Sequence, residues 1–408
     1  MRIMHSSDWH IGRSLYGRKR YEEHAAFLNW LLEVLEAEGI DVLLVAGDVF
    51  DNTAPSNRAQ ELYYRFLCQV ADSSCRHVVI TAGNHDSPSF LNAPRDLLRH
   101  LHIHIVGTAG DAVDEVLLLE DAGGEAALIV CAVPYLRDRD IRSVESGERM
   151  EDKERKLLEG IRQHYVQVCA RAEQIQAQLP KPVPIVAMGH LFAAGGLKVE
   201  GDGVRDLYVG SLAQVGADIF PATIDYAALG HLHGAQLVAG NEKYRYSGSP
   251  LPMGFGEASR AKSVIKVVFS ESCAEITPIS VPLFRELRTI RGDWEKIQEQ
   301  LEAMKSIHLK AWLEIIYNGN EMIGNLREKL DELIEDGELE ILRVRDQRAA
   351  AAVPSLMGEG EILSELDVQE VFDRCLDAYE VPEDQREELL RVYHEVIDTL
   401  DTEDWLAE

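Results

Sequence analysis

Residues Ile80–Pro88 read "ITAGNHDSP". An apolar run ends at Gly83, and an amide, an imidazole and a carboxylate follow at Asn84, His85 and Asp86. The chain repeats this arrangement. "RIMHSSDWH" ends on Asp8 and His10, "DVLLVAGD" on Asp48, "PIVAMGH" on His190, and "YAALGHLH" on His231 and His233. The runs are short, and several are apolar at every position, as in strands buried on both faces. Between the first two lies "HAAFLNWLLEVLEAEG", with Phe27, Trp30, Leu31, Val34 and Leu35 at helical spacing and Gly39 as a stop. Strands alternating with helices predict a layered α/β domain with a mostly internal sheet. Sites in such sheets form outside the carboxyl ends of the strands. Residues spread from position 8 to position 233 are therefore expected to meet at one sheet edge. Gly47, Gly83, Gly189 and Gly230 stand beside them and are expected to let the backbone turn sharply there.

Carboxylate, imidazole and amide oxygen together suit Mn²⁺, Fe²⁺ or Zn²⁺ better than Ca²⁺. The D-x-H and H-x-H spacings each put two side chains on one side of an extended backbone. With Asp48, Asn84 and His190, these pairs supply ligands for two metal ions, and one shared carboxylate can bridge them. Two ions about 4 Å apart stabilise both the attacking and the leaving oxygen of a displacement at phosphorus. His77, His100, His102 and His104 read as ordinary strand or surface histidines.

A chain of 408 residues is expected to form two or three domains. With 46% hydrophobic and 27% charged residues it is a folded chain rather than a disordered one. No apolar run is long enough to span a membrane, and "MRIMHSSDWH" has no apolar leader, so a cytoplasmic protein is expected. Its six cysteines are scattered without a C-x-x-C pair and read as reduced core thiols. A net charge of −29 argues against binding nucleic acid through bulk charge. Contact with phosphates would need bound divalent cations or a local basic run. "GRSLYGRKR" (Gly12–Arg20) offers Arg13, Arg18, Lys19 and Arg20; its alternative reading is a solvated charged loop.

Residues 1–280 form the α/β part, with paired strands expected after about Phe220 in "KYRYSGSP" and "SVIKVVFS". Residues 281–346 read β-α-β-α-β, a small second domain. Gln347–Gly360 reads as a linker. Residues 361–408 carry two helical stripes: Val368, Val371, Phe372, Cys375, Leu376 and Tyr379, then Leu389, Leu390, Tyr393, Ile397 and Leu400. Two short helices bury little alone, so they either fold back on the chain or dock on a partner.

In this order, "DWH", "GDVFD", "GNHD", "GH" and "GHLH" resemble the calcineurin-like metallophosphoesterase superfamily. "MRIMHSSDWHIGRSLYG", "VAGDVFDNTAPS", "LYYRFL", "GNHDSPSFLN" and "YSGSPLPMGFGE" narrow the resemblance to the SbcD family of nuclease subunits, over the whole chain. The resemblance implies a layered α/β sandwich with a small α+β capping domain and C-terminal helices. One metal would take Asp8, His10, Asp48 and His233, and the other Asp48, Asn84, His190 and His231. His85 would not be a ligand but would give a proton to the leaving group or stabilise its charge. It implies Mn²⁺, 3′→5′ exonuclease activity on duplex DNA, and endonuclease activity on single strands and hairpins, in DNA recombination and repair near the nucleoid. It further implies a homodimer through the nuclease domain and a heterotetramer with two copies of the SMC-like ATPase SbcC, bound by the terminal helices. ATP dependence would come through that partner, and no G-x-x-x-x-G-K-[ST] loop is present here. Two alternatives are a small-molecule phosphodiesterase or phosphatase of the same superfamily, and a scaffold that only binds DNA ends.

Overall fold

The computed structural model describes residues 1–141, 149–192, 219–270, 274–319, 321, 323–334 and 338–347, with 369, 372–373, 376, 386 and 389–394. The chain divides into two compact units, Met1–Arg288 with Lys310–Trp312, and Thr289–Leu309 with Leu313–Glu408.

The first unit holds two six-stranded sheets. One runs in the order Ala274–Ser280, Ser263–Phe269, Arg2–Ser6, Val42–Ala46, His77–Thr81 and Ile103–Val106. The other runs Gln236–Val238, Asn241–Tyr246, Tyr226–Gly230, Ile185–His190, Ala126–Ala132 and Val116–Glu120. Four neighbouring strands of each are mutually parallel. Period-two alternation sorts the side chains into layers. Val42, Leu44 and Ala46 meet Val130, Val186, Met188 and Ala228 in a core between the sheets. Leu43 and Val45 instead join the helices Tyr21–Ala37 and Asn57–Ala71 in a second core. On the other side Ile185 and Ala187 pack with the helix Met150–Gln176. The central strands Val42–Ala46, Ile185–His190 and Tyr226–Gly230 are thus buried at every position, which is why these runs are almost wholly apolar. The layered α/β sandwich is present as expected, and the mostly internal sheet read from the runs is made of two sheets. A strand under a helix and a strand under another sheet read alike, so the sequence pattern did not separate them.

Registers align the carboxyl ends. Ser6 pairs with Val45, Ala46 with Thr81, and His190 with Gly230. Helix starts are fixed locally: Ser56 Oγ accepts from Ala59 N at 3.2 Å, and Ser87 Oγ from Phe90 N at 3.3 Å. Gly39, at φ +59°, closes the first long helix as expected.

A three-stranded sheet, most of whose residues belong to the second unit, runs Glu286–Gly292, Ala311–Tyr317 and Leu339–Asp346, with helices Trp294–Ser306 and Leu326–Ile334 in between. Its central strand is buried at all seven positions. Residues 348–360 of the expected linker lie outside the described residues, as do Val368, Val371, Cys375, Tyr379, Ile397 and Leu400 of the two stripes. Of the rest, the Phe372 ring stacks on Tyr393 with centroids 4.1 Å apart. Among the described residues no helix is long and apolar enough to cross a membrane.

Candidate metal centre

The loop after Arg2–Ser6 is zipped to the loop after Val42–Ala46. Asp8 N donates to the Gly47 carbonyl at 3.0 Å, His10 N to Asp48 O at 3.0 Å, and Ile11 N to Val49 O at 2.9 Å. These bonds hold Asp8, His10 and Asp48 at φ 53°, 47° and 49°, and His231 stands at φ 105°. Left-handed backbone costs a non-glycine residue about 1–3 kcal/mol and persists only where the surroundings fix it. Four of the nine non-glycine residues with positive φ among those described are thus residues that the sequence singles out. This backbone also replaces the expected extended D-x-H geometry: both residues lie beyond the strand, and loop torsions aim them.

Asp86 ties the loop after Val42–Ala46 to its own loop, after His77–Thr81. Its buried carboxylate accepts from Gly83 N at 2.8 Å, Phe50 N at 2.9 Å and Val49 N at 3.1 Å. Three of the four glycines serve differently from the expectation. Only Gly47 has a positive φ among the four. A Cβ at Gly83 would lie 2.1 Å from Asp48 Oδ1, and one at Gly230 would lie 1.9 Å from the Ala46 carbonyl. Close approach of loops, not sharp turning, excludes a side chain there.

Two groups of ligand atoms result. In the first, Asp8, His10 and His233 place one atom each within 4.8 Å of one another. His10 Nε2 and His233 Nε2 face each other at 3.2 Å. In the second, His190 Nε2 lies 3.0 Å from Asn84 Oδ1 and 3.3 Å from Asp48 Oδ2. The other nitrogen, Nδ1–H, donates to the Ala46 carbonyl at 3.0 Å, so Nε2 points at the centre. Asp48 Oδ2 also lies 3.6 Å from His10 Nε2. One carboxylate oxygen therefore stands between the two groups. Asp8 accepts from His231 N at 2.9 Å, and the His231 ring lies 5.4 Å from His190 by centroids. His85 N donates to Asp48 Oδ1 at 2.8 Å, and its Nδ1–H donates to the Asp51 carbonyl at 2.8 Å. His10, Asp51 and His85 also fall within 4.8 Å.

Buried carboxylates and imidazoles this close together shift one another's protonation. Burial pushes the Asp8 carboxyl up to about 6, with His190 opposing and Asp48 adding to the shift. Burial also works against the Asp48 carboxylate, but His190 and His10 hold it well below the usual carboxylate range. Burial pulls His190 down, yet Asp48 and Asp8 outweigh it and lift the imidazole from 6.5 to about 9. This raised value means that the Asp48–His190 charge pair supports the metal-free fold fully below 6.5 and fades as pH rises through about 9. A cation at Nε2 must displace that proton. Apparent affinity for Mn²⁺ is expected to rise with pH towards about 9. Calorimetric titrations at pH 7 in buffers of different ionisation heat should register proton release; none would contradict this pairing.

Residues 1–235 match the model of the calcineurin-like phosphoesterases, and residues 283–380 match that of the type 5 capsule protein repressor C-terminal domain. The SbcD subunit of the nuclease SbcCD from Escherichia coli (strain K12) is 38% identical over 403 residues, 98% of each chain. The chain belongs to the SbcD family of SbcCD nuclease subunits. The SbcD subunit from Rhodobacter capsulatus is 38% identical over 298 residues, 71% of each chain. A solved dimetal phosphatase from Danio rerio covers 69% of this chain and 97% of its own at 12% identity, with a TM-score of 0.41, too weak a likeness to carry weight.

In this member of the SbcD family, the fold brings together all seven ligand-type residues and His85. The expected basic contacts fare differently. Arg20 is 1% exposed and donates to both Glu23 oxygens at 2.8 and 2.7 Å and to the Pro252 carbonyl at 2.5 Å. Buried and bound in this way, it is corrected to a structural residue that a phosphate does not reach. Arg13 is half-buried and pairs with Asp51 at 3.0 Å. Arg18 and Lys19 are exposed on the two-residue hairpin with Ser14–Leu15. Asp51 and the loop role of Asp86 were not singled out from the sequence. Their signal was present in the two motifs: Asp51 is a second carboxylate three residues past Asp48 in "GDVFD", and Asp86 directly follows Asn84 and His85 in "GNHD".

Proposed function

We propose that this SbcD-family chain is a Mn²⁺-dependent, two-metal DNA nuclease of an SbcCD complex. It acts as a 3′→5′ exonuclease on duplex ends and an endonuclease on single strands and hairpins, in DNA recombination and repair. One observation carries the two-metal reading: Asp48 Oδ2 sits between His10 Nε2 and His190 Nε2, at 3.6 and 3.3 Å. The donors fit two divalent ions. Asp8, His10, Asp48 and His233 would hold one, and Asp48, Asn84, His190 and His231 the other, with Mn²⁺ suited to this oxygen and nitrogen mixture.

When bound, the two ions supply positive charge at the attacking and the leaving oxygen. The chain supplies the rest. Asp48 fixes the spacing of the two ligand groups. The Asp51 carbonyl sets the tautomer of His85, because a carbonyl only accepts and Nδ1 must carry its hydrogen. With Nδ1–H held by that carbonyl, only the doubly protonated imidazolium of His85 carries an Nε2–H, and in that form it would protonate the leaving oxygen or stabilise its charge. Burial of these side chains strengthens the electrostatic interactions among them, and the attacking oxygen would come from a water admitted with the substrate.

Arg18 and Lys19 would contact phosphates beside the centre. Changing both to alanine is expected to weaken DNA cleavage and flatten its salt dependence by a slope of about 2, while sparing a nitrophenyl phosphodiester. Equal loss on both substrates would overturn the contact. Arg20→Ala should instead destabilise the fold by about 3–5 kcal/mol by stranding Glu23, read from denaturant unfolding.

The terminal helices would dock on SbcC, whose ATPase supplies ATP dependence, in a heterotetramer with two copies of each chain dimerised through the nuclease domain. The test is digestion of labelled hairpin and duplex DNA in Mn²⁺, with and without the ATPase partner, beside a nitrophenyl phosphodiester. Cleavage of DNA, stimulated by partner and ATP, supports the reading. Turnover of the small ester alone would make the chain a small-molecule phosphodiesterase.

A further inference from the structure

The segment Ser247–Glu257, "SGSPLPMGFGE", helps mark the family but holds none of the residues assigned to the centre. It is nevertheless deeply buried: Ser247 and Ser249 are 0% exposed and Glu257 is 1% exposed. The two oxygens of Glu257 have different surroundings. Oε2 accepts from Met253 N at 2.9 Å and from Lys262 Nζ at 2.5 Å. These bonds account for fixing the loop. Oε1 is buried with no hydrogen-bond partner among the described residues, and it faces His233 Nδ1 at 3.8 Å. A buried carboxylate oxygen without a donor costs free energy, so its retention calls for a reason.

The reason lies on the other side of the imidazole. His233 Nε2 is the atom that faces His10 Nε2. One nitrogen thus points at the centre and the other at Glu257. Lys262 Nζ also donates to the His233 carbonyl at 3.0 Å and lies 2.9 Å from Ser249 Oγ, so one ammonium fixes both the carboxylate and the backbone of the histidine. The neighbouring rings have an oxygen behind them in the same way. Asp51 Oδ1 stands 3.3 Å from His10 Nδ1, and the Ala46 carbonyl 3.0 Å from His190 Nδ1.

We infer that Glu257 is a positioning residue: its Oε1 takes the Nδ1–H of His233 when Nε2 engages a divalent ion, and Lys262 holds the carboxylate for that contact. This rests on the two-metal reading. The contact fixes the tautomer with the Nε2 lone pair outward and makes that nitrogen a better donor, an effect worth about 10–100-fold in metal affinity.

The test is calorimetric titration of Mn²⁺ into the stripped full-length chain, wild type and Glu257→Gln. The amide oxygen of Gln can still accept from Lys262 and Met253 N, while its NH₂ would meet the His233 Nδ1–H donor to donor. Wild type should bind two Mn²⁺ per chain. Glu257→Gln should keep its metal-free melting temperature and hold one Mn²⁺ as before and the other about 10–100-fold more weakly. Two unchanged affinities would overturn the inference while leaving two-metal binding intact. A wild type that binds no Mn²⁺ would overturn both. Should the variant fail to fold, ¹⁵N-histidine spectra of the wild type loaded with Zn²⁺ decide. A protonated Nδ1 and a metal-bound Nε2 on His233 support the inference, and the reverse overturns it.

Discussion

Asp48→Ala is expected to lose at least about 10³-fold in Mn²⁺-dependent DNA cleavage, the largest loss of any single change at the centre. The reason is position. Asp48 Oδ2 lies within reach of both His10 Nε2 and His190 Nε2, so its removal strips a ligand from each group at once. Its other oxygen accepts from His85 N at 2.8 Å, so the same change also loosens the proton donor. Alanine leaves a gap in a fully buried loop, and a folding defect must be separated from a chemical one. Asp48→Asn does that: it keeps the shape and an acceptor for His85 N but lacks the charge. Both variants should lose cleavage, and Asp48→Asn should keep the native circular dichroism. Near-normal cleavage by a folded Asp48→Asn chain would refute a bridging carboxylate.

His85→Ala is the second large effect, and it separates binding from chemistry. The ring is 6% exposed, oriented by the Asp51 carbonyl, with its centroid 4.8 Å from that of His10. General acid help is worth about 10²–10⁴-fold, and that loss is expected with both metal ions retained. The size of the loss should follow the leaving group. A nitrophenolate departs without a proton, so a nitrophenyl phosphodiester should lose less than DNA, whose leaving alkoxide needs one. His85 also forms a candidate ligand group with His10 and Asp51 within 4.8 Å. Loss of one metal equivalent in elemental analysis of the purified variant would make it a ligand instead.

These residues were legible from the sequence because the strand ends are. A run such as "DVLLVAGD" states where the sheet stops, and Asp48 is the first polar side chain past it. What the runs do not state is which sheet they belong to. Val42–Ala46 and Ile185–His190 are apolar at nearly every position, yet they lie in different sheets and meet through Leu44 and Met188. The torsions were equally hidden, since nothing in "SDWH" announces left-handed backbone at both Asp8 and His10. Charge alone misled at Arg20, where the partner is Glu23, three residues on within the buried start of a helix. Glu257 lies 24 positions beyond His233 and past a proline-rich loop, so only the fold brings the two together.

The most direct test of two-metal catalysis is to strip the full-length chain with chelator and return Mn²⁺ in measured equivalents while following cleavage of a labelled hairpin. A shared Asp48 bridge predicts no cleavage in chelator, recovery that is complete only at two ions per chain, and no recovery in Asp48→Asn. Cleavage that persists in chelator, or full activity at a single equivalent, would contradict it.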